Sequence, residues 1–206
     1  MRPSLNDLLT DAASRLRAAG VENARHDAEE LLCRACGLED RSALFLNNDG
    51  KAEPALLSVF SSYIERRAAG EPLQYIMGEA WFYGRRFAVR PGALIPRPET
   101  ELLAERAVAR LRDTERRVMD LCTGSGAIAV TLALECPEAR VTATDVSEAA
   151  LACARENAAA LGATEQIEFL HGDLFAALDF QAASCRPFDL IVCNPPYIPT
   201  GVIDTL

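Results

Sequence analysis

The stretch Asp120-Leu121-Cys122-Thr123-Gly124-Ser125-Gly126 decides the fold of this chain, because it leads a strand into a glycine loop and then into a helix. Glycines at such a turn let the backbone bend tightly and approach a ligand closely. Strands are predicted at 117–121, 140–144, 166–170 and 188–193, and helices at 127–135 and 147–161. This alternation predicts an α/β fold with a parallel, doubly wound sheet.

The part of the chain before this loop shows different sequence patterns. Residues 1–70 predict a helical bundle, in which Ser4 and Asp7 have the spacing of a capping box and apolar residues recur at helical intervals. In residues 71–95, Trp81-Phe82-Tyr83 and Phe87-Ala88-Val89 flank Gly84-Arg85-Arg86, which predicts a β-hairpin linker. The remaining residues, 96–206, form the predicted α/β domain.

Composition limits the kinds of partner. The chain has 206 residues, half of them hydrophobic, and a net charge of −9. Proteins that bind duplex nucleic acid usually present a basic face, so direct DNA binding is not expected. Seven cysteines, odd in number and irregular in spacing, indicate a reducing, cytoplasmic location. No apolar run reaches the length of a membrane span, and the N-terminus does not resemble a signal peptide.

Cys33 and Cys36 have the spacing of a CxxC motif. A zinc site of this kind needs four ligands at recognisable spacing, and the chain has no second CxxC pair. We therefore expect no metal and assign these cysteines to helix packing.

The loop after the first strand predicts the kind of cofactor. Its pattern, Cys122-x-Gly124-x-Gly126, departs from the dinucleotide fingerprint G-x-G-x-x-G. The carboxylate of Asp120 suits a cationic amino or sulfonium group better than a pyrophosphate, which favours S-adenosylmethionine over NAD. Asp145, at the end of the next strand, is placed to accept hydrogen bonds from a ribose diol. An ordinary glycine turn in an α/β fold is the alternative interpretation.

Asn194-Pro195-Pro196-Tyr197 follows the last predicted strand. The two prolines fix two φ angles and remove two backbone donors, which makes the loop rigid. An amide side chain beside unpaired carbonyls can hold a planar NH₂ group through its hydrogens, and Tyr197 can cover the flat face of the molecule that carries it. The alternative is a turn that happens to follow a strand.

Four segments together resemble the HemK/PrmC family of peptide chain release factor N5-glutamine methyltransferases. They are Gly70–Tyr75 (GEPLQY), Ile95–Glu101 (IPRPETE), Asp120–Ala129 (DLCTGSGAIA) and Asn194–Ile198 (NPPYI). The resemblance implies a Rossmann-like class I methyltransferase domain that uses S-adenosylmethionine. NPPY alone is shared with adenine and cytosine amino-methylases, whereas IPRPET with the helical domain is more specific.

The resemblance also implies roles for individual residues. The cofactor would be bound by Asp120, Cys122, Thr123, Gly124, Ser125, Gly126, Asp145, Asp173, Leu174 and Asn194. The target amide would be bound by Asn194, Pro195, Pro196 and Tyr197, of which Asn194, Pro195 and Tyr197 are the expected catalytic residues. The substrate would be the Gly-Gly-Gln loop of a class 1 release factor, with the helical domain helping to dock it.

Two positions depart from the family pattern. Cys122 replaces a glycine often found first in the loop, and we expect that position to lack a positive φ. Leu174 stands where some relatives have an aromatic residue, which would weaken stacking on adenine.

Two alternatives stay open at this point. One is a nucleic-acid amino-methylase acting on adenine N6 or cytosine N4, which would need a target-recognition region and a basic channel. The other is a truncated, non-catalytic cofactor-binding fragment, because the chain ends soon after Tyr197. In that case Leu190-Ile191-Val192 would form an exposed apolar edge, which proteins in water avoid.

Overall fold

The computed structural model describes residues 3–38, 41–46, 52–111, 116–178 and 186–196. The chain divides into two compact units, Met1–Gly78 and Glu79–Leu206. Within the described residues, no helix is both long and apolar enough to cross a membrane.

The first unit is helical, as predicted. Its helices are α1 (Leu5–Ala18), α2 (Ala24–Cys36), α3 (Arg41–Leu46), α4 (Pro54–Ala68) and α5 (Leu73–Met77). The capping box forms, with the Asp7 N–H donating to Ser4 Oγ at 3.2 Å and the Ser4 N–H donating to Asp7 Oδ2 at 3.0 Å. Cys33 is buried in the core that these helices share, and Cys36 packs against that core partly exposed.

Residues 71–95 contain more than a hairpin. Their first part forms α5, whose Ile76 is buried in the helical core. The hairpin consists of β1 (Glu79–Phe82) and β2 (Arg85–Ala88), and its turn has positive φ at both Tyr83 and Gly84. Phe82 and Phe87 are fully buried and meet edge to face at 6.0 Å. Because both rings lie in the core of the second unit, the hairpin is part of that unit rather than a free spacer.

The second unit is built on a parallel sheet. Its strands are β3 (Arg116–Leu121), β4 (Ala139–Asp145), β5 (Ile167–His171) and β6 (Leu190–Cys193), in the spatial order β5-β4-β3-β6. The helices are α6 (Pro98–Leu111), α7 (Ala127–Glu135) and α8 (Glu148–Leu161), with two short 3₁₀ turns at Thr164–Gln166 and Leu174–Ala177. The predicted α/β class and parallel sheet are confirmed. The order reverses between β3 and β6, which is where open α/β sheets bind ligands.

β6 is shorter than the strand predicted at 188–193. Before it, Asp189 exchanges two bonds with Arg117: its N–H donates to the Arg117 carbonyl at 2.8 Å, and its Oδ2 accepts from the Arg117 N–H at 2.9 Å. Among the described strands β6 has one neighbour, β3, and Ile191 is 48% exposed.

The side chain of Asn157 ties the hairpin to the glycine loop. Asn157 lies in α8 and is 2% exposed. Its Oδ1 accepts from the Ala88 N–H at 2.7 Å, while its Nδ2 donates to the Ala88 carbonyl at 3.0 Å and to the Ser125 carbonyl at 2.9 Å. One buried amide therefore satisfies backbone groups of two segments that are distant in sequence.

We predict that Asn157→Ala lowers the free energy of unfolding of the second unit by about 3 kcal/mol, because it leaves buried backbone groups without partners. Urea unfolding followed through the fluorescence of Trp81, the single tryptophan, measures this. Arg155→Ala, on the exposed side of the same helix, is the matched control, and an equal loss in both variants would contradict the role of Asn157.

Candidate active site

A cavity of about 740 Å³ lies at the carboxyl ends of the strands. Most of the predicted site residues line it: Cys122, Thr123, Gly124, Ser125, Asp145, Asp173, Leu174, Asn194, Pro195 and Pro196. Asp120 and Gly126 are not among the lining residues, and Tyr197 lies outside the residues that the structure describes. The segment Pro96–Thr100 supplies a further wall through Pro96, Arg97, Glu99 and Thr100.

Backbone hydrogen bonds hold the glycine loop in place. The Thr123 N–H donates to the Thr144 carbonyl at 2.9 Å, and the Gly126 N–H donates to the Thr123 carbonyl at 2.9 Å. Gly126 has φ +77°, and a Cβ placed there would lie 2.9 Å from the Ala154 Cβ. Only glycine fits this position, since a side chain would be strained and would collide with α8. Gly126 therefore shapes the loop without lining the cavity.

Asp145 presents a fixed carboxylate to the cavity. Its Oδ2 accepts from the Gly124 N–H at 2.9 Å, and its Oδ1 accepts from the Ser147 N–H at 2.9 Å. Each carboxylate oxygen can accept more than one hydrogen bond, so both oxygens keep capacity for a ligand. Two neighbouring acceptors held in this way suit the two hydroxyls of a ribose diol.

Asp120 lies beneath the loop and has no exposed surface. Its Oδ2 accepts from the Thr123 hydroxyl at 2.6 Å and from the Ala129 N–H at 3.2 Å, whereas its Oδ1 is buried without a hydrogen-bond partner. Burial raises the pKa of Asp120 to about 7, and the nearby Asp145 charge adds to the effect, while the bonds from Thr123 and Ala129 oppose it. The carboxyl group thus acts on the cavity through Thr123.

Cys122 corrects one expectation from the sequence. The position was expected to lack a positive φ, but its φ is +58°, in the left-handed region. This conformation costs a residue with a Cβ about 1–2 kcal/mol, which gives a physical reason for glycine at this place in the family pattern. Burial raises the pKa of the Cys122 thiol to about 11, and the neighbouring Cys193 thiol adds to the shift.

Asp173 and Leu174 line the cavity where the chain leaves β5. The Asp173 carbonyl accepts from the Ala176 N–H at 2.8 Å, which starts a 3₁₀ turn. Leu174 has φ +47° and is 43% exposed, so an apolar side chain is presented at the cavity wall. Its carbonyl accepts from the Thr144 hydroxyl at 3.4 Å.

Asn194 follows β6 directly and is half-buried. Its Nδ2 donates to the hydroxyl of Thr100 at 3.1 Å. The pairing of Leu121 with Cys193 in the β3–β6 ladder places the glycine loop and the Asn194-Pro195-Pro196 loop side by side. The glycine loop and the Asn194-Pro195-Pro196 loop thus line one cavity.

Sequence reasoning missed two residues that organise this site, Thr100 and Asn157. Asn157 carries a detectable signal, because it is a polar residue on the otherwise apolar face of α8 formed by Ala150, Cys153 and Ala154. The hydrogen bond from Asn194 to Thr100 joins residues 94 positions apart, and no local sequence pattern indicates such a contact.

Sequence comparisons cover both units. The profile described as PrmC N-terminal domain matches residues 7–78, and the profile described as Methyltransferase small domain matches residues 98–204. The chain is 43% identical to the release factor glutamine methyltransferase of Chlorobaculum tepidum, over 98% of this chain and 70% of that protein. The enzymes of the same name from Moorella thermoacetica and Deinococcus radiodurans are 44% and 45% identical, over 98% and 96% of this chain and 70% and 68% of theirs.

Among solved structures, the chain is similar to a SAM-dependent methyltransferase from Thiobacillus denitrificans in complex with S-adenosyl-L-homocysteine. The two are 32% identical, the match covers 47% of this chain and 36% of that one, and the TM-score is 0.37.

We predict that Cys122→Gly raises the free energy of unfolding by about 0.5–1 kcal/mol, because relief of the left-handed strain outweighs the added flexibility of the unfolded chain. Urea unfolding measures the change. Cys122→Ala is the matched control, since it removes the sulfur but keeps the Cβ, and a gain in Cys122→Ala equal to that in Cys122→Gly would contradict the strain.

We predict that Asp120 makes the protein less stable as the pH rises. The pKa of this carboxyl is higher in the folded state, at about 7, than its ordinary value of 3.8, so the folded state binds the proton more tightly. Its stabilising contribution is therefore complete below about pH 4 and is lost as the pH rises toward about 7. Asp120→Asn cannot titrate and should show a smaller loss between about pH 5 and about pH 7.5. Parallel urea unfolding curves for the two proteins test this, and identical pH slopes would contradict it.

Proposed function

The chain belongs to the release factor glutamine methyltransferase family, and on that premise we propose that it transfers a methyl group from S-adenosylmethionine to the side-chain amide nitrogen of a glutamine in a class 1 peptide chain release factor. The observation that carries the proposal is that Asp145, the glycine loop and the Asn194-Pro195-Pro196 loop line the same cavity.

The residues present fit S-adenosylmethionine. Asp145 offers two fixed oxygens to a ribose diol, and Asp173 offers a carboxylate to an adenine amino group. Leu94, Val146 and Leu174 give the cavity apolar walls for the flat adenine ring. When bound, S-adenosylmethionine supplies an electrophilic methyl group carried on a sulfonium.

The Asn194-Pro195 loop is proposed to hold the target amide. An amide nitrogen is a poor nucleophile because its lone pair is delocalised into the carbonyl. The Asn194 side-chain oxygen and the Pro195 carbonyl would each accept one hydrogen of the target NH₂, which orients the nitrogen and raises its electron density. Orientation of this kind supplies about 7–11 kcal/mol of a barrier in favourable cases, and fixed acceptors stabilise positive charge developing on the nitrogen. Tyr197 is proposed to pack against the amide plane.

The described residues that line the cavity include neither a histidine nor a lysine, so none of them is a strong base. The nitrogen gains a methyl group and loses one proton, and we assign that proton to water after the nitrogen has reacted. Catalysis by this chain is therefore chiefly positioning.

We assign docking of the release factor to the helical unit, Met1–Gly78, and methyl transfer to the unit Glu79–Leu206. The match of residues 7–78 to the PrmC N-terminal domain supports this assignment. A substrate of translation termination also places the reaction in the cytoplasm.

A methyl-transfer assay with radiolabelled S-adenosylmethionine tests the function. Purified class 1 release factor and duplex DNA are offered to the chain in parallel. Label in the release factor alone is the expected result. Label in the DNA would favour a nucleic-acid amino-methylase, and tight donor binding with no label in either substrate would favour a cofactor-binding module.

We predict that Asn194→Ala and Asp145→Asn separate catalysis from donor binding. Asn194→Ala should lower kcat by about 10²–10³-fold, the usual effect of losing one group that stabilises a transition state, and should weaken donor binding far less than Asp145→Asn does. Asp145→Asn should weaken donor binding by about 10-fold to 100-fold, because hydrogen bonds to a charged acceptor are lost. Single-turnover kinetics and titration calorimetry measure the two effects.

Each variant is the control for the other. Near-normal turnover by Asn194→Ala would contradict the target-binding role, and unchanged donor affinity of Asp145→Asn would contradict the ribose contact.

A further inference from the structure

The segment Ile95–Glu101 contacts the Asn194-Pro195-Pro196 loop through the side chain of Thr100. Thr100 lies in the first turn of α6, and its hydroxyl accepts a hydrogen bond from Asn194 Nδ2 at 3.1 Å. Both residues are half-buried and both line the cavity. The contact therefore joins the start of α6 to the loop that is proposed to hold the target amide.

We propose that Thr100 is a positioning residue for methyl transfer, which fixes the plane of the Asn194 side-chain amide so that its oxygen faces the substrate NH₂. The inference rests on the proposed function, and it deepens that function by naming the residue that orients the acceptor.

The chemistry of the amide makes its orientation decisive. A side-chain amide carries an acceptor oxygen at one end and a donor NH₂ at the other. In the orientation observed, Nδ2 is the end bonded to Thr100, and Oδ1 lies at the opposite end of the group. A carbonyl oxygen has two lone pairs, so Oδ1 can accept a substrate hydrogen whatever else it contacts. Rotation of the Asn194 amide by half a turn would place its Nδ2, instead of Oδ1, against the substrate NH₂. Two donors would then face each other, and the substrate would have no acceptor on this side chain.

Thr100 is placed on a rigid support. Pro96 and Pro98 fix φ on both sides of Arg97, and the Thr100 N–H donates to the Arg97 carbonyl at 3.0 Å. The helix that follows is anchored by buried residues, namely Ala104, Ala107, Val108 and Leu111. Glu101 adds a bond from the Tyr83 N–H to its Oε1 at 2.7 Å.

Variants at Thr100 test the inference. Thr100→Val keeps the shape of the side chain and removes the hydroxyl, and Thr100→Ser keeps the hydroxyl. We expect Thr100→Val to lower kcat by about 10-fold to 100-fold, because small errors in orientation are costly for positioning catalysis, with donor affinity and KM for the release factor unchanged. Thr100→Ser should recover most of the loss. Thr164→Val, an exposed threonine before β5 at the other end of the sheet, is the matched control and should behave as the parent chain.

A measurement without substrate tests the contact itself. The two ¹H–¹⁵N NMR signals of the Asn194 side-chain NH₂ are identified as the pair of signals that is missing from the spectrum of Asn194→Ala. Thr100→Val should shift that pair, whereas Thr100→Ser and Thr164→Val should leave it in place.

The outcomes separate this inference from the proposed function. If the parent chain methylates the release factor and Thr100→Val is equally fast, the inference alone is overturned. The same follows if Thr100→Val leaves the NMR signals of the Asn194 NH₂ unmoved. A loss in Thr100→Val that appears entirely in KM or donor affinity also overturns it, because orientation acts on kcat. A parent chain that binds the donor and transfers no methyl group overturns the proposed function, and with it the catalytic consequence assigned to Thr100.

Discussion

The parallel pairing of β3 with β6 is the constraint on which the site depends. Leu121 and Cys193 are partners in this ladder, so the residues that follow them, Cys122 and Asn194, leave the sheet at the same edge. Because the strand order reverses between these two strands, the connections on either side diverge and leave a cavity between them. A slip of this register would separate the glycine loop from the Asn194-Pro195-Pro196 loop even if each kept its own conformation.

Polar contacts from several elements hold the loops at that edge. Asp120 anchors the loop from below through the Thr123 hydroxyl, and Asp145 holds it from the side through the Gly124 N–H. Asn157 binds the Ser125 carbonyl from α8, and Thr100 binds Asn194 from α6. A reaction that relies on positioning rather than on a strong base needs supporting contacts of this kind, because they hold the reacting groups in the productive geometry.

Much of this arrangement could be predicted from local patterns. Strand–helix alternation predicted the parallel sheet, and the turn residues around Gly124 and Asn194 predicted two of the loops that line its cavity. The strained φ of Cys122 and the full burial of Asp120 could not be predicted, because both depend on how the loop packs after the sheet has formed. The same holds for the hairpin, whose Phe82 and Phe87 look like part of a linker until the core that receives them is assembled.

We propose that this cavity brings a methyl donor to the side-chain amide of a glutamine. Tandem mass spectrometry of a class 1 release factor, incubated with the chain and S-adenosylmethionine and then digested, tests it most directly. We expect one added methyl group on the side-chain nitrogen of the glutamine in the Gly-Gly-Gln loop, formed about 10²–10³-fold more slowly when Asn194 is replaced by alanine. A methyl group on any other residue, or the same rate of modification with Asn194→Ala, would overturn the proposal.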